Sequence, residues 1–265
     1  MKTLQDYAGS ISIVVSSCDR FFDAWRPFAF FFRKGWGDCP FPIYLVTNEL
    51  EVKSRSIQAI RVGKDKGWAS NMQVALEQIE TPYILYLQED YFLTAPVRAG
   101  QLAEDIAYAI EQDAAAFCFY DLSLLEAEFG QKYERFGVVP DDSKGRTRLQ
   151  TTLWKRDVFA SLLRPGETAW NMEARGSERT RGLLMYSYAR NDDAPIPYLM
   201  SGVVRGLWTP EAAALCAAHN FPLRPAFRSL DPGTKRRRRW RRAIDRVRFP
   251  IALARQRGKL VDLDA

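Results

Sequence analysis

The stretch from Tyr83 to Asp90, which reads YILYLQED, decides the fold because an apolar run of strand length ends there in two acidic residues. Pro82 introduces the run, and its first five residues are all apolar or aromatic. A short apolar run next to a breaker residue is typical of a buried strand. The sequence therefore predicts a strand that delivers Glu89 and Asp90 side by side at its carboxyl end.

Strand and helix patterns alternate through the first 120 residues. Further strands are predicted at 11–15, 42–47, 57–62 and 114–120, and helices at 21–34, 69–78 and 97–112. Such alternation indicates a largely parallel, doubly wound sheet, in which ligands bind beyond the carboxyl ends of the strands. Four polar or acidic residues are expected at that edge: Ser17, Asp19, Glu89 and Asp90.

The chain beyond residue 120 has a less regular pattern. It contains a charged loop, a short apolar element, two helix patterns and a strand pattern, at 138–148, 149–154, 156–163, 170–184 and 198–204. We expect this smaller half to pack on the same sheet, so that residues 1–234 form one α/β domain.

Charge is concentrated near the C-terminal end of the chain. The 265 residues carry a formal net charge of +6, but residues 235–265 contain twelve Lys or Arg against three Asp. This segment therefore carries +9, and residues 1–234 carry −3. A basic segment on a mildly acidic body favours one localised contact, with a membrane surface or a nucleic acid, over a basic binding face on the domain.

Two further features bear on location and metal content. Neither a leader peptide nor a spanning helix is predicted, since no apolar run precedes Ile11 and none reaches eighteen residues. We therefore expect a cytoplasmic protein. Widely spaced cysteines without a C-x-x-C pair favour reduced thiols over a zinc site or a disulfide framework. They are Cys18, Cys39, Cys118 and Cys216.

The adjacent carboxylates of Glu89 and Asp90 point to cation chemistry. Burying a carboxylate without a partner is costly, and a divalent cation shared with a diphosphate removes that cost. Such a cation also neutralises the charge that builds on a departing nucleoside diphosphate, as a Lewis acid. The alternative is a solvated pair that caps the following turn.

Five motifs, taken in order, resemble the GT-A superfamily of glycosyltransferases. They are Ser17-Cys18-Asp19, Lys66-Gly67-Trp68, the stretch 83–93, Trp170-Asn171-Met172-Glu173 with Arg175-Gly176-Ser177, and the stretch 202–208. The set looks like one shared by uncharacterised bacterial transferases of surface-polysaccharide clusters. It spans roughly residues 11–208, and the order and spacing of the motifs carry the resemblance.

The resemblance implies both a fold and a reaction. The fold is a GT-A-like, Rossmann-like, mostly parallel sheet flanked by helices, with a donor-binding half at 1–120, an acceptor-binding half at 121–234 and a basic helical tail at 235–265. The reaction is a metal-dependent, inverting transfer of a sugar from a nucleoside diphosphate sugar, with a UDP-sugar favoured. The implied acceptor is a saccharide or a lipid-linked saccharide of bacterial lipopolysaccharide, capsule or exopolysaccharide.

The resemblance also implies a donor-binding set: Ser17, Asp19, Lys66, Trp68, Asn71, Glu89 and Arg205. In GT-A enzymes an acidic residue after the first strand often contacts the nucleobase, a role offered to Asp19, although a helix N-cap is an equal alternative. Lys66 and nearby helix-terminal N–H groups could reach phosphate oxygens. A plain surface lysine is the alternative there.

The implied metal is Mn²⁺ or Mg²⁺, held by Asp90 against the donor diphosphate. The sequence departs from the D-x-D motif because Gln88 stands at its first position. Glu89 is therefore expected to bind through water or to position a sugar hydroxyl. Many GT-A enzymes complete the metal shell with a C-terminal histidine, but His219, after two alanines, is more typical of a packed helix end.

Glu173 is the predicted general base of the inverting reaction, because an aromatic three residues earlier can stack on a sugar while the carboxylate projects from the same helical turn. Its alternative is a helix-start carboxylate paired with Arg175 or Arg179. The predicted acceptor-binding set is Trp154, Trp170, Arg175, Ser177 and Trp208. Core packing is the alternative for Trp154 and Trp208.

Two other functions stay open. A nucleotidyltransferase could use the same carboxylates and cation, but no Gly-rich phosphate loop follows the first strand. A degenerate transferase fold could bind saccharide or membrane without catalysis, in keeping with the incomplete D-x-D motif.

Residues 235–258 are predicted to form an interfacial amphipathic helix. Seven of the eight residues at 235–242 are cations. Apolar residues follow at helical spacing with arginines between them: Trp240, Ile244, Val247 and Ile251. We expect Pro250 to kink or end the helix. Each basic residue near an anionic leaflet contributes about 1 kcal/mol, so the expected partner is the anionic inner face of the plasma membrane and not a nucleic acid. A solvated terminus is the alternative.

Overall fold

The computed structural model describes residues 2–123, 135–221, 223–224 and 227–265. Within these ranges the helices are α1 (Phe22–Trp36), α2 (Trp68–Leu76), α3 (Ala99–Glu111), α4 (Arg156–Leu162), α5 (Ala169–Arg175), α6 (Pro210–Ala218) and α7 (Lys235–Gln256). The strands are β1 (Ile11–Ser16), β2 (Ile43–Thr47), β3 (Glu51–Lys53), β4 (Ile57–Arg61), β5 (Tyr83–Gln88), β6 (Phe92–Leu93), β7 (Ala116–Asp121), β8 (Phe136–Val138), β9 (Thr152–Lys155), β10 (Met185–Tyr188), β11 (Tyr198–Leu199), β12 (Val203–Val204), β13 (Leu207–Trp208) and β14 (Leu260–Asp262).

Eight of these strands form the central sheet, in the order β4-β2-β1-β5-β9-β7-β10-β8. The neighbours from β4 to β5 are parallel, as are β7 and β10. β9 and β8 run antiparallel to their neighbours, so six of the eight strands point the same way. The predicted α/β class, with a mostly parallel sheet flanked by helices, is confirmed.

Both faces of the sheet are covered by helices. Ile13 of β1 belongs to the apolar cluster that contains Trp25 of α1. The next residue, Val14, belongs to the opposite cluster with Met72 of α2. All six residues of β1 are buried, which explains why its sequence lacks polar alternation. Burying one such aliphatic side chain contributes about 1.5–3 kcal/mol.

The structure differs from the prediction in the second half of the chain. The expected helix at 170–184 is wrong in length, since α5 ends at Arg175 and a 3-10 turn covers Gly176–Thr180. A Cβ at Gly176 would lie 2.5 Å from Thr147 Oγ1, so tertiary packing fixes this turn. Gly182, with φ at 76°, then introduces β10. The single strand expected at 198–204 is divided into β11 and β12.

Residues 235–265 pack on the domain. Asp245 of α7 is buried and accepts hydrogen bonds from the backbone N–H and the hydroxyl of Ser229, at 2.9 and 2.7 Å. β14 pairs in parallel with β3, and Leu263 is 1% exposed. α7 continues through Pro250, so of the two expectations for this proline, a kink or the end of the helix, the second is wrong. No helix among the described residues is both long and apolar enough to cross a bilayer.

Candidate functional site

Three segments meet at the edge of the sheet formed by the carboxyl ends of β1 and β5. Ser16, the last residue of β1, lies opposite Gln88, the last residue of β5. β9 runs antiparallel to β5, with Thr152 opposite Tyr86, so the chain just before β9 reaches the same edge. The edge is therefore built from the residues after β1, those after β5 and those before β9.

Glu89 and Asp90 lie buried at this edge, each with 6% of its surface exposed. Asp90 Oδ2 accepts a hydrogen bond from the backbone N–H of Val203 at 2.9 Å, and the Asp90 carbonyl accepts one from Gly202 at 3.0 Å. Within the described residues neither carboxyl group forms a salt bridge. The alternative of a solvated acidic pair is therefore wrong.

Burial sets the protonation of this pair. It raises the pKa of Asp90 to about 6, against the opposing effect of the N–H donor of Val203. The pKa of Glu89 is raised well above its ordinary value, first by burial and then by the charge of Asp90. Deprotonation of both groups is therefore unfavourable unless a cation binds beside them.

Arg228 supplies a buried positive charge near the pair, and no local sequence pattern points to it. Its guanidinium donates to both carboxylate oxygens of Asp23 at 3.0 Å and to the carbonyl of Gly206 at 3.3 Å. Its charge lowers the pKa of both Glu89 and Asp90 without overcoming the effect of burial. Arg228 thus links α1 to the turn between β12 and β13, and its charge acts on the carboxyl pair.

Asp19 holds a turn and does not cap a helix. Its carboxylate accepts hydrogen bonds from the backbone N–H groups of Asn48, Glu49 and Leu50 at 2.8–3.1 Å. Its own N–H donates to Asn48 Oδ1 at 3.1 Å. These bonds tie the loop after β1 to the end of β2. The N-cap alternative is wrong, and both carboxylate oxygens have protein donors. Contact with a nucleobase stays a prediction.

The predicted loop before α2 is built around Asp65 and Asn71. Asp65 accepts from Gly67 N–H and from the Asn71 amide, both at 2.9 Å, and Asn71 Oδ1 accepts from Lys66 N–H at 3.1 Å. Gly67 has φ at 90°, a conformation that side chains disfavour. Trp68 donates its indole N–H to Ser16 at 3.0 Å. Lys66 is exposed.

Ser17 is engaged with the protein as well. Its hydroxyl accepts the indole N–H of Trp25 at 2.7 Å. The loop after β1 and the start of α2 are therefore joined to the sheet edge by two tryptophan side chains. Of the predicted donor residues around them, the exposed Lys66 has a side chain free to reach outward.

Hydrogen bonds through Leu149 connect Glu173 to the same edge of the sheet. Its Oε1 accepts the Leu149 N–H at 2.9 Å, while the Leu149 carbonyl accepts from Gln88 at 3.0 Å and from the Tyr91 hydroxyl at 2.5 Å. Glu173 is half-buried on α5. Burial raises the pKa of Tyr91 well above its ordinary value, and the charges of Asp90 and Glu173 add to this effect. The structure therefore brings the predicted base and the predicted metal ligand into one neighbourhood.

The other predicted residues of α5 and the following turn have separate environments. Trp170 is 76% exposed, and Arg175 is exposed as well. Ser177 accepts the backbone N–H groups of Gly145 and Arg146 at 2.8 and 3.1 Å, so its hydroxyl holds that loop. The alternative in which Glu173 pairs with Arg175 or Arg179 is wrong. Arg179 forms its salt bridge with Glu167, and within the described residues Glu173 forms none with either arginine.

The remaining tryptophans of the predicted set are core residues. Trp154 and Trp208 are each 1% exposed, so neither presents a ring face to a sugar. Arg205 is exposed at the tip of the β12–β13 hairpin, where its φ is 53° and that of Gly206 is 80°. Two successive residues of positive φ form the turn that suits the twist of a hairpin.

His219 lies at the end of α6, as the packed-helix-end interpretation predicts. Its Nδ1 is 3.0 Å from the Leu215 carbonyl, and its ring meets Phe31 edge-on at 5.3 Å between centroids. In the part of the chain that the structure describes, no group of three or more His, Cys, Asp or Glu is placed to hold a metal ion.

The carboxyl pair nevertheless fits a cation that arrives with a phosphate ligand. Mg²⁺ is commonly bound by one or two carboxylates, with substrate phosphates and waters at its other positions. Glu89 and Asp90 supply hard oxygen ligands. A bound cation would offset the cost of burying their negative charges, the same cost that raises the pKa of both groups. The donor set therefore suits Mg²⁺ or Mn²⁺ shared with a diphosphate, and not a closed protein cage.

Comparisons with known proteins give distant likenesses in structure. No protein-family profile matches the chain, and no curated protein sequence matches it. Similar solved structures include S. aureus TarS 1-349 in complex with UDP-GlcNAc, with a TM-score of 0.44, 10% identity, and coverage of 71% of this chain and 57% of that one. The bifunctional IspDF from Campylobacter jejuni has a TM-score of 0.42 and 11% identity, with coverage of 73% of this chain and 52% of that one.

A third similar structure is CMP:2-keto-3-deoxy-manno-octonic acid synthetase complexed with CTP. Its TM-score is 0.42 at 11% identity, with coverage of 80% of this chain and 98% of that one. This chain spans 57% of the length of the TarS chain and about half that of IspDF. At identities near 10% and TM-scores below 0.5, these likenesses assign neither a family nor a reaction to the chain.

Proposed function

We propose that the chain is a nucleotide-sugar-dependent glycosyltransferase of the GT-A-like kind. The observation that carries this proposal is the pair of buried carboxyl groups, Glu89 and Asp90, without a salt bridge in the described chain and at the carboxyl end of a central parallel strand. Ligands of doubly wound sheets bind at that edge. A buried pair of this kind raises the free energy of the folded protein, which favours a role in binding a cation and a diphosphate.

In this proposal Asp90 holds Mg²⁺ or Mn²⁺ and Glu89 supports it through water or through a sugar hydroxyl. When bound, the cation supplies charge stabilisation for the departing nucleoside diphosphate. Arg228, buried and fixed by Asp23, keeps a positive charge close to the pair. That charge limits the repulsion between the two carboxylates before the ligand arrives.

The donor would lie between the loop after β1 and the start of α2. Lys66 is exposed directly before α2 and is a candidate for phosphate oxygens there. The Ala69 N–H in the first turn of this helix already donates to the Glu167 carbonyl at 3.2 Å. Arg205, exposed on the hairpin that holds Asp90, is a second candidate for phosphate oxygens. We favour a UDP-sugar as the donor, in line with the resemblance of the motifs.

The acceptor would lie over α5. Glu173 and Trp170 are three residues apart on this helix, so they share one side, with the indole exposed and the carboxylate anchored by Leu149. In an inverting reaction Glu173 would take the proton of the attacking hydroxyl. The exposed indole offers a face for a sugar ring. A saccharide or lipid-linked saccharide of a bacterial surface polysaccharide fits this arrangement.

Nucleotide binding tests the proposal first. We expect isothermal titration to show binding of at least one nucleoside diphosphate, UDP before others, in the presence of Mn²⁺. Asp90→Asn should weaken this binding at least about tenfold, because it removes the cation's charged ligand. Asp157→Asn is the matched control, since that side chain is 86% exposed on α4. Equal affinities of the Asp90 variant and the wild type would contradict the site.

The reaction itself is distinguished by its products. A glycosyltransferase releases a nucleoside diphosphate from a nucleotide sugar, whereas a nucleotidyltransferase releases pyrophosphate from a nucleoside triphosphate and a sugar phosphate. The loop Ser17–Phe21 after β1 contains no glycine, which favours the first reaction. Pyrophosphate release that depends on Asp90 would replace glycosyl transfer with nucleotidyl transfer as the function of the same site.

The role of Glu173 has its own test. Glu173→Gln should lower the rate of sugar transfer by about 10²–10⁴-fold while the dissociation constant of the donor stays unchanged, because a general base acts on the acceptor. Its amide oxygen can still accept from Leu149, so the fold should be preserved. Glu178→Gln, on the exposed turn after α5, is the control. Undiminished transfer by the Glu173 variant would remove it from the mechanism.

A further inference from the structure

Helix α7 has one side on the domain and an unusual outer side. Its inner side contains the buried Asp245 and Ala252 and the half-buried Phe249. Trp240, at 70% exposed, points away from the domain. A helix that packs on a globular domain normally turns polar residues outward. The outer side of α7 therefore has no explanation in the folding of the domain.

The outer side carries an apolar stripe. Trp240, Val247 and Ile251 are separated by seven and four residues, so they lie on one side of the helix, and the last two are 65% and 50% exposed. Ala243 and Ala254 fall on the same side and are exposed as well. The stripe runs along the helix from its first turns to its last.

Arginines flank the stripe on both sides. At 100° per residue, three lie along one flank and three along the other, all exposed: Arg239, Arg242 and Arg246, then Arg237, Arg248 and Arg255. None of these six forms a salt bridge with a described residue, whereas Arg238 and Arg257 do so with Asp231 and Glu49. The flanking charges are thus available to an anionic partner.

We propose that the outer side of α7 docks the protein on an anionic lipid bilayer. The stripe would lie at the boundary between headgroups and acyl chains, with Trp240 at the level of the headgroups, and the flanking arginines would contact lipid phosphates. A polynucleotide would satisfy the arginines but leave the apolar stripe in water. This inference goes beyond the proposed function and does not depend on it.

The contribution of the flanking arginines to membrane binding is tested with vesicles made of equal parts phosphatidylglycerol and phosphatidylcholine. Replacing Arg239, Arg246 and Arg248 by glutamine should lower the partition coefficient in co-sedimentation about a hundredfold. The matched control replaces Lys34, Arg55 and Arg181, which are exposed elsewhere, by glutamine, so that its net charge equals that of the first triple variant. We expect less than about a twofold change for the control. Equal losses in the two triple variants would overturn the assignment to α7.

The apolar stripe is tested separately by the double variant Val247→Ser and Ile251→Ser. Both side chains are at least half exposed, so the fold should be unchanged by circular dichroism. Vesicle binding should fall at least about tenfold, and binding to polyuridylate should stay as in the wild type. Vesicle binding equal to that of the wild type would overturn the proposal in favour of purely electrostatic contact, as with a nucleic acid.

Fluorescence locates the contact. Trp240 and Trp170 are the largely exposed indoles of the described chain, at 70% and 76%. Brominated lipids should quench the emission of the wild type and of Trp170→Phe, and the quenching should be lost in Trp240→Phe. Quenching that persists without Trp240 would place another surface on the membrane and overturn the proposal.

Discussion

A carboxyl group whose pKa is raised by burial keeps its proton in the folded state at pH values where the unfolded chain has already lost it. Burial raises the pKa of Asp90 from 3.8 to about 6 and raises that of Glu89 as well. The folded state therefore binds more protons between about pH 4 and pH 6, and its stability falls as the pH rises through that window. Above it, the shift at Asp90 opposes folding by on the order of 3 kcal/mol.

Asp90→Asn should therefore raise the free energy of unfolding at pH 7 while weakening the proposed cation-dependent binding of a nucleotide at least about tenfold. The asparagine oxygen can still accept the N–H of Val203, and the buried charge is gone. Urea unfolding at pH 4 and pH 7 should show a gain at pH 7 and little change at pH 4.

Asp105→Asn is the contrasting control for this measurement. Asp105 is also buried, and burial raises its pKa to about 6, but its carboxylate is bonded to Arg135 at 2.6 Å and to Tyr188. Removing its charge should lower stability at pH 7, because Arg135 and Tyr188 lose a charged partner. If Asp90→Asn is as destabilising as Asp105→Asn, Asp90 has a structural partner and the site argument fails.

Asp90 and Arg228 differ in how far their roles could be predicted from the sequence. Asp90 could be predicted because its setting is local: an apolar strand delivers it to the sheet edge. Arg228 binds Asp23, which is 205 residues away, from an irregular segment without periodicity. Asp19 is intermediate, since its place after β1 was predictable and its bonds to residues 48–50 were not. Long-range ion pairs leave no local pattern.

At the scale of elements, the β12–β13 hairpin controls the orientation of Asp90. Its first strand donates Val203 N–H to the carboxylate, and Gly202 donates to the Asp90 carbonyl. A Cβ at Gly202 would lie 3.0 Å from that carbonyl oxygen and 3.1 Å from the ring of Phe92. Phe92 is fully buried, so the hairpin would have to move away.

Under the proposed function, Gly202→Ala should therefore weaken cation-dependent nucleotide binding by about tenfold, and it should lower stability by about 1–3 kcal/mol. Gly100→Ala is the matched control: a Cβ there meets nothing within 4 Å, and alanine in α3 should stabilise the helix by up to about 1 kcal/mol. Titration calorimetry and urea unfolding check both variants. Unchanged nucleotide affinity in Gly202→Ala would show that the hairpin does not set the geometry of Asp90.

Elements were predictable where periodicity is strong and misjudged where tertiary contacts decide. The positions of β1, β5 and α1 agree with the prediction within about two residues, because their apolar patterns serve the core directly. The segment 176–184 has a helical pattern, yet Gly176 packs on Thr147 and the chain turns into β10. Tertiary packing overrode local preference there.

At the scale of the whole molecule, the C-terminal segment packs against the first part of the chain. β14 adds to β3, Leu263 N–H donates to the Lys53 carbonyl at 2.9 Å, and Asp264 forms a salt bridge with Arg33 of α1 at 2.7 Å. The basic helix α7 is therefore held on the domain at its middle, through the bonds of Asp245 with Ser229, and after its C-terminal end, through β14. Charge composition indicated a separate tail because it carries no information on packing.

Leu263→Ala tests this packing. The side chain is 1% exposed, so its truncation should lower the free energy of unfolding by about 2–5 kcal/mol, whereas Leu260→Ala, at 56% exposed, should change it by less than about 0.5 kcal/mol. Both leucines lie within the same short segment, so a difference between them reports packing and not local propensity. Urea unfolding followed by tryptophan fluorescence measures both. Equal, small effects would show that the C-terminal segment is not part of the folded core, and α7 would then be free to leave the domain.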